Sequence, residues 1–242
     1  MKCLILMLAG ISGWLHATEI REELVVHAGT KFRVVRVSPE ALRVVWKDEK
    51  GQPYRTFDRV QVHFAKEGKT VKLLMNAGIF EPGGIPTGLH VQDGHLLHPL
   101  NTAEGKGNFY LKPNGVLTGL VQTSEKFQAE QKRLAMTASY SLRLAVQSGP
   151  MLLIDGARHP AFKEDSPNKL VRNGVGVDRK GRLVLAITAP GQTVNFWDFA
   201  GLFLALDCQS ALFLDGTISQ MTVNPTQPVE SNQFGAMLVV AE

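Results

Sequence analysis

The sequence predicts an α+β fold, a single domain in which an antiparallel-rich mixed sheet carries a few packed helices. Three observations point there. Short apolar runs with β-like composition alternate with Gly, Pro, Asn and Asp along the whole chain. Several of these runs come in pairs around compact turn signals. Stretches with helical periodicity are few.

The elements follow in order. Lys2, the apolar run Cys3 to Ile11 and the small residue Ala17 form a secretory signal peptide over residues 1–17, cleaved after Ala17. The polar stretch Thr18 to Glu23 then opens the mature domain, residues 18–242. The apolar run is too short to span a bilayer of roughly 30 Å, so no stable membrane insertion is expected once the leader is gone. Phe32 to Arg36 and Ala41 to Trp46 read as a pair of strands around Ser38-Pro39-Glu40. Val71 to Met75 is a short buried strand running into Asn76-Ala77-Gly78. Leu89 to Val91 and His95 to Leu97 flank Asp93-Gly94 as a hairpin. Phe109 to Leu111 and Gly115 to Leu117 repeat that grammar around Lys112-Pro113-Asn114, and Val175 to Val177 with Leu183 to Ile187 around Asp178 to Gly181. Asp155-Gly156 is a further hairpin turn. Ser124 to Leu134 is a polar surface helix. Asp198 is the expected N-cap of an apolar helix over Phe199 to Leu206. Ala211 to Leu214 is a buried strand ending at Asp215-Gly216, and Phe234 to Val240 closes the chain as another.

Composition narrows the function classes. The formal net charge is +4 at pH 7. That suits an anionic substrate, but no Lys/Arg-rich run of the kind that binds nucleic acid is present. Of the two cysteines, Cys3 leaves with the leader, so Cys208 has no partner for an internal disulfide and reads as a buried, inert thiol. His27, His63, His90, His95, His98 and His159 are dispersed without zinc spacing, so neither metal nor cofactor is expected.

Four segments carry the candidate chemistry. Asn76 stands at the end of a strand, where its amide can both donate to and accept from a sugar hydroxyl or phosphate oxygen. Ser148-Gly149-Pro150 breaks two apolar runs, and Gly149 admits close backbone approach. With no Gly-x-Ser-x-Gly elbow, Ser148 is read as a binding or turn residue and not as a nucleophile. Arg172 precedes the strand Val175 to Val177 and offers a guanidinium for phosphate. Gly174-x-Gly176 is no dinucleotide fingerprint, because no helix follows. Asp215 ends a buried strand and is followed by Gly216, Thr217, Ile218, Ser219 and Gln220, an acid on rigid structure beside an open loop.

In this order the four segments resemble the phosphodiester glycosidase family, over roughly residues 70 to 240. The stretch from Asn101 through Gly115 resembles a bacterial periplasmic branch of unknown function. The resemblance implies a hydrolase that cleaves the glycosidic bond of a sugar-1-phosphodiester, with a phosphorylated sugar or glycan as substrate, in the periplasm or secreted. It implies Asp215 as the catalytic carboxylate. Arg172, Ser148 and Gly149 would hold phosphate, and Asn76, Gly216, Ser219 and Gln220 would position the sugar. The family's acidic loop reads Leu-Asp-Gly-Gly-Gly-Ser. Thr217 and Ile218 replace two of those glycines here and make the loop bulkier. Asp155, Asp178 and Asp207 are alternative carboxylates. Two other readings stand beside this one: a non-catalytic binding protein for phosphorylated envelope glycans, and a metal-assisted phosphodiesterase.

Overall fold

The computed structural model describes residues 20–135 and 142–242. The expected leader, Met1 to Ala17, lies outside the described residues. A seven-stranded sheet runs in the order β1 (Glu22–His27), β2 (Thr30–Val37), β15 (Leu183–Thr188), β14 (Asn173–Asp178), β16 (Cys208–Asp215), β12 (Met151–Ile154) and β13 (Ala157–Arg158). A four-stranded sheet has the order β17 (Met221–Val223), β4 (Val71–Ala77), β18 (Ala236–Ala241) and β3 (Arg43–Val45). A five-stranded sheet has the order β10 (Val121–Thr123), β9 (Gly115–Leu117), β11 (Ala145–Ser148), β7 (His90–Gln92) and β8 (His95–His98). The ribbon β5 (Phe80–Glu81) and β6 (Ile85–Pro86) completes the set. Adjacent strands in the seven-stranded sheet pair antiparallel, and tight turns join three of the pairs, β1–β2, β14–β15 and β12–β13.

The largest core lies between sheets. Val35, Leu185, Val175, Leu212 and Leu214 of the seven-stranded sheet meet Leu73, Met75 and Leu238 of the four-stranded sheet and Leu117 and Val146 of the five-stranded one. The other face of the seven-stranded sheet is covered by α3 (Phe196–Ala205), whose Phe199, Leu202 and Phe203 are fully buried. Gly174 and Gly176 make that contact possible. A Cβ on Gly174 would sit 2.8 Å from the Leu212 carbonyl oxygen and 3.2 Å from Phe199, and one on Gly176 would sit 2.7 Å from both Phe203 and the Cys208 sulfur. The Gly-x-Gly is therefore a seat for α3. Helix α1 (Phe57–Lys66) buries Phe57, Val60 and Phe64 against the outer face of the four-stranded sheet. Helix α2 (Ser124–Ala135) packs Phe127 against the five-stranded sheet. Cys208 is buried beside α3, and burial pushes its thiol up to about 12.

The Asp93-Gly94, Asp155-Gly156 and Asp178 to Gly181 hairpins form as expected. In the first two, Asp93 and Asp155 take φ of 47° and their glycines φ of 83° and 80°, so the turn chemistry decides the pairing. Three expectations are corrected. The strands flanking Ser38-Pro39-Glu40 do not pair. Both edges of β2 are occupied by β1 and β15, and β3 joins β18 in another sheet. Phe109 to Leu111 is not a strand. Asn108–Tyr110 forms a 3₁₀ turn, and β9 has both edges filled by β10 and β11. The apolar helix starts earlier than Asp198. Asn195 is its N-cap, its side-chain oxygen accepting from the Asp198 N–H at 2.8 Å. Asp198 instead adds negative charge to the first turn.

Candidate active site

The sheets converge at one point. β4 brings Asn76 to its end, β14 opens with Asn173, and β16 ends at Asp215, directly opposite Asn173. The loop after Asp215 leads into β17, which pairs back onto β4. Three polar side chains from sequence-distant segments therefore meet where apolar strands stop.

Asp215 is half-buried, and its carboxylate oxygens each have a donor. Asn76 Nδ2 donates to Oδ2 at 2.9 Å, and the Gly216 N–H donates to Oδ1 at 2.7 Å. Asn173 is fully buried. Its Nδ2 donates to the Asn76 carbonyl oxygen at 2.9 Å and to Asn76 Oδ1 at 3.0 Å, while its Oδ1 accepts from the Asp215 N–H at 2.8 Å. The Gln220 N–H also donates to Asn76 Oδ1, at 2.9 Å. Burial raises the Asp215 carboxyl from 3.8 to about 6, against the opposing pull of the Gly216 and Asn76 hydrogen bonds. The group thus changes charge close to neutral pH, where an acid–base residue is useful.

The loop beyond it is pinned. The Ser219 N–H donates to the Gly216 carbonyl at 2.8 Å, closing a turn. Gln220 Oε1 accepts from the Asn232 N–H at 2.7 Å. Ile218 packs against the α1 cluster that contains Phe57 and Phe234. Its bulk therefore fastens the loop to α1. Thr217, Ser219 and Gln220 line a cleft of about 380 Å³, shared with Thr188, Val171 and Asn232. The Ser219 hydroxyl is buried and has no partner among the described residues.

Other residues expected at the site lie elsewhere. Ser148 is fully buried, and its hydroxyl donates to the Leu214 carbonyl at 3.0 Å, a strut behind Asp215. A Cβ on Gly149 would come 2.5 Å from Asn114 Cβ, so close packing accounts for this glycine. The structure does not bring the Arg172 guanidinium into the Asn76–Asp215 cluster. It stacks 3.7 Å from the Phe196 ring centroid and donates from Nε to Val194 O at 2.8 Å and from Nη2 to Asn168 O at 3.1 Å. Its Nη1 is buried without a partner among the described residues, and burial lowers the guanidinium pKa to about 10. Of the alternative carboxylates, Asp178 holds its own hairpin turn and pairs with Arg182 at 2.8 Å, and Asp207 is an exposed residue 3.8 Å from Arg179. Among the described residues no three His, Cys, Asp or Glu side chains gather as a metal-binding group, and no helix is long and apolar enough to cross a membrane.

Asn173 was not among the residues expected at the site. Its signal was present: a polar residue opening an otherwise apolar strand, beside an arginine already singled out. Its role needed the cross-strand register with Asp215.

With this geometry in hand, residues 69–240 match the phosphodiester glycosidase family. The chain belongs to that family. Asn76, Asn173 and Asp215 all fall within the matched span. The chain is also similar to the uncharacterized protein YigE of Escherichia coli (strain K12), 32% identical over 194 residues that make up 77% of this chain and 71% of that protein. The fold resembles that of the zebrafish N-acetylglucosamine-1-phosphodiester alpha-N-acetylglucosaminidase catalytic domain auto-inhibited by pro-peptide. That likeness has a TM-score of 0.60, with 14% identity over 91% of this chain and 81% of that one. A hypothetical protein from Synechocystis is also similar, with a TM-score of 0.55, 13% identity, and 91% and 62% of the two chains covered.

Proposed function

We propose that this phosphodiester glycosidase family member is an exported hydrolase that cleaves the sugar side of a sugar-1-phosphodiester, releasing free sugar and a phosphate monoester. The observation that carries the reading is Asp215, an acid with no charged partner among the described residues, held at a strand end by amide donors on both oxygens. A phosphodiester is already a good leaving group, so the site needs little general acid. It needs a carboxylate to stabilise an oxocarbenium-like centre or to activate water. Asp215 fills that role. Asn76 orients it, and Gly216, Ser219 and Gln220 shape the loop over the sugar, with Ser219 and Gln220 lining the cleft. Ser148 and Gly149 support the strand end from behind. The activity printed for the zebrafish neighbour supports a sugar-1-phosphodiester as the substrate class. The charged start and apolar run of residues 1–17 support export to the periplasm or beyond.

Arg172 acts on the fold around the site: it is fully buried, stacked on Phe196 and bonded to the Val194 and Asn168 carbonyls. Arg172→Met is expected to lower the melting temperature while leaving KM within about twofold, because the guanidinium makes no contact in the Asn76–Asp215 cluster. Thermal unfolding and steady-state kinetics decide it: a rise in KM of about tenfold or more in the folded variant would return Arg172 to substrate binding.

The reading itself is tested by incubating the mature protein with an N-acetylglucosamine-1-phosphate methyl diester and following products by ³¹P and ¹H NMR, with and without chelator. With the reaction run in ¹⁸O-water, free sugar plus methyl phosphate that has taken up no ¹⁸O is the expected outcome, because attack at phosphorus with the sugar as leaving group gives the same two products but labels the phosphate, seen as a ³¹P isotope shift, and would refute the reading. Release of methanol or of sugar 1-phosphate would mean cleavage at phosphorus and would refute it.

A further inference from the structure

Three backbone N–H groups, which can only donate, set the polarity of the hydrogen bonds around Asp215. The Asp215 backbone N–H faces Asn173 Oδ1 at 2.8 Å, so the Asn173 oxygen lies on that side and its NH₂ on the other. That NH₂ lies 3.0 Å from Asn76 Oδ1 and 2.9 Å from the Asn76 carbonyl oxygen. The Gln220 backbone N–H reaches the same Asn76 Oδ1 at 2.9 Å. Two independent donors therefore fix the Asn76 amide with its oxygen toward Asn173 and Gln220 and its NH₂ toward Asp215 Oδ2, at 2.9 Å. The chain of donors starts on the Asp215 backbone and closes on the Asp215 carboxylate. The other carboxylate oxygen accepts from the Gly216 N–H, again a pure donor. Flipping either amide would set donor against donor or acceptor against acceptor at more than one contact, in a place where an unsatisfied polar group is costly.

We infer that Asn173 is a positioning residue that locks the Asn76 amide so that Asp215 is held as an ionised acceptor, working as base, nucleophile or electrostatic stabiliser and not as a general acid. This rests on the proposed role of Asp215 and narrows it. Asn173 reaches no substrate; it acts through Asn76. The groups that face Asp215 are the Asn76 amide from β4, Asn173 from β14 and the Gly216 N–H from its own loop, none of them charged. Arg172, the neighbouring cation in sequence, is committed to Phe196 and two backbone carbonyls.

Asn173→Asp is the sharp test. It keeps size and the acceptor for the Asp215 N–H, but places an oxygen where Asn173 now donates to two oxygens of Asn76. Asn173→Ala is the companion variant, which removes the side-chain donor and acceptor without adding charge. The Asp215 carboxyl is followed directly by ¹³C NMR titration, which needs no substrate, with circular dichroism confirming the fold. The expected result is a rise in the Asp215 midpoint by about one pH unit in both variants, larger in Asn173→Asp. The acid limb of the kcat profile should move by the same amount, with KM on the alkaline side within about twofold of the parent. A midpoint unmoved in both folded variants overturns the inference, whatever the activity. A moved midpoint in a protein that turns over no phosphodiester would retain the lock and count against the proposed reaction instead.

Discussion

Asp215→Asn is expected to lower kcat/KM roughly 10³-fold, the range seen when a group that answers charge in the transition state is removed. The substitution is nearly isosteric, but it fails twice. It removes the negative charge that would face an oxocarbenium-like centre. It also brings an NH₂ against either the Asn76 NH₂ or the Gly216 N–H, both of which now donate to Asp215. The parent protein should show an acid limb near pH 6, because burial raises the Asp215 carboxyl to about 6 and the ionised form is the working one. The variant should lose that limb. The sign for stability is opposite. The folded chain keeps this proton up to about pH 6, whereas an unperturbed carboxyl releases it near 3.8. The contribution of Asp215 to stability is therefore complete below about pH 3.8 and is lost as pH rises through about 6. The protein is active where this group stabilises it least. Rates of sugar release across pH 4 to 9 for parent and variant are the measurement, and an Asp215→Asn protein at full rate would remove Asp215 from the chemistry.

Phe213→Ala is expected to destabilise the protein by about 3–5 kcal/mol. Phe213 is fully buried on β16, its ring edge-on to Phe196 at 4.9 Å and 5.5 Å from the Arg172 guanidinium carbon. Truncation opens a cavity under α3 in a layer that also holds Phe199 and Phe203. It also leaves the buried Arg172 charge with less support in a region that water does not reach. For a chain of this size the melting temperature should drop by roughly 10 °C. Thermal unfolding by calorimetry reads it, and a loss below about 1 kcal/mol would mean that α3 and β16 collapse onto the gap. Phe213 lies two residues before Asp215, so the same variant should weaken activity at temperatures where it is still folded.

Much of this architecture is written locally. Asp93-Gly94 and Asp155-Gly156 specify hairpins because they accept positive φ, and the apolar stretch from Phe199 to Leu206 reads as a buried helix, although the structure starts it at Phe196. A carboxylate following Leu212-Phe213-Leu214 stands at the end of a buried strand in any fold of this class. Local reading erred where the outcome depended on which sheet edge was free. The strands on either side of Ser38-Pro39-Glu40 are real, but β2 was already flanked on both sides, and nothing near Pro39 encodes that.

By itself, then, the sequence determined the class of fold, the hairpins that turn chemistry enforces, and the place of Asp215 at the end of a buried strand. The tertiary structure decided the rest. Asn76 reaches Asp215 across a sequence separation of 139 residues, and Asn173 reaches Asn76 across 97. Such partners carry no local pattern, because they meet only when separate sheets close on each other. The same holds for Ile218, whose bulk would crowd the loop if its side chain faced the cleft. Instead it packs into the apolar cluster beneath α1, because burying a branched hydrocarbon there removes it from water and ties the loop down.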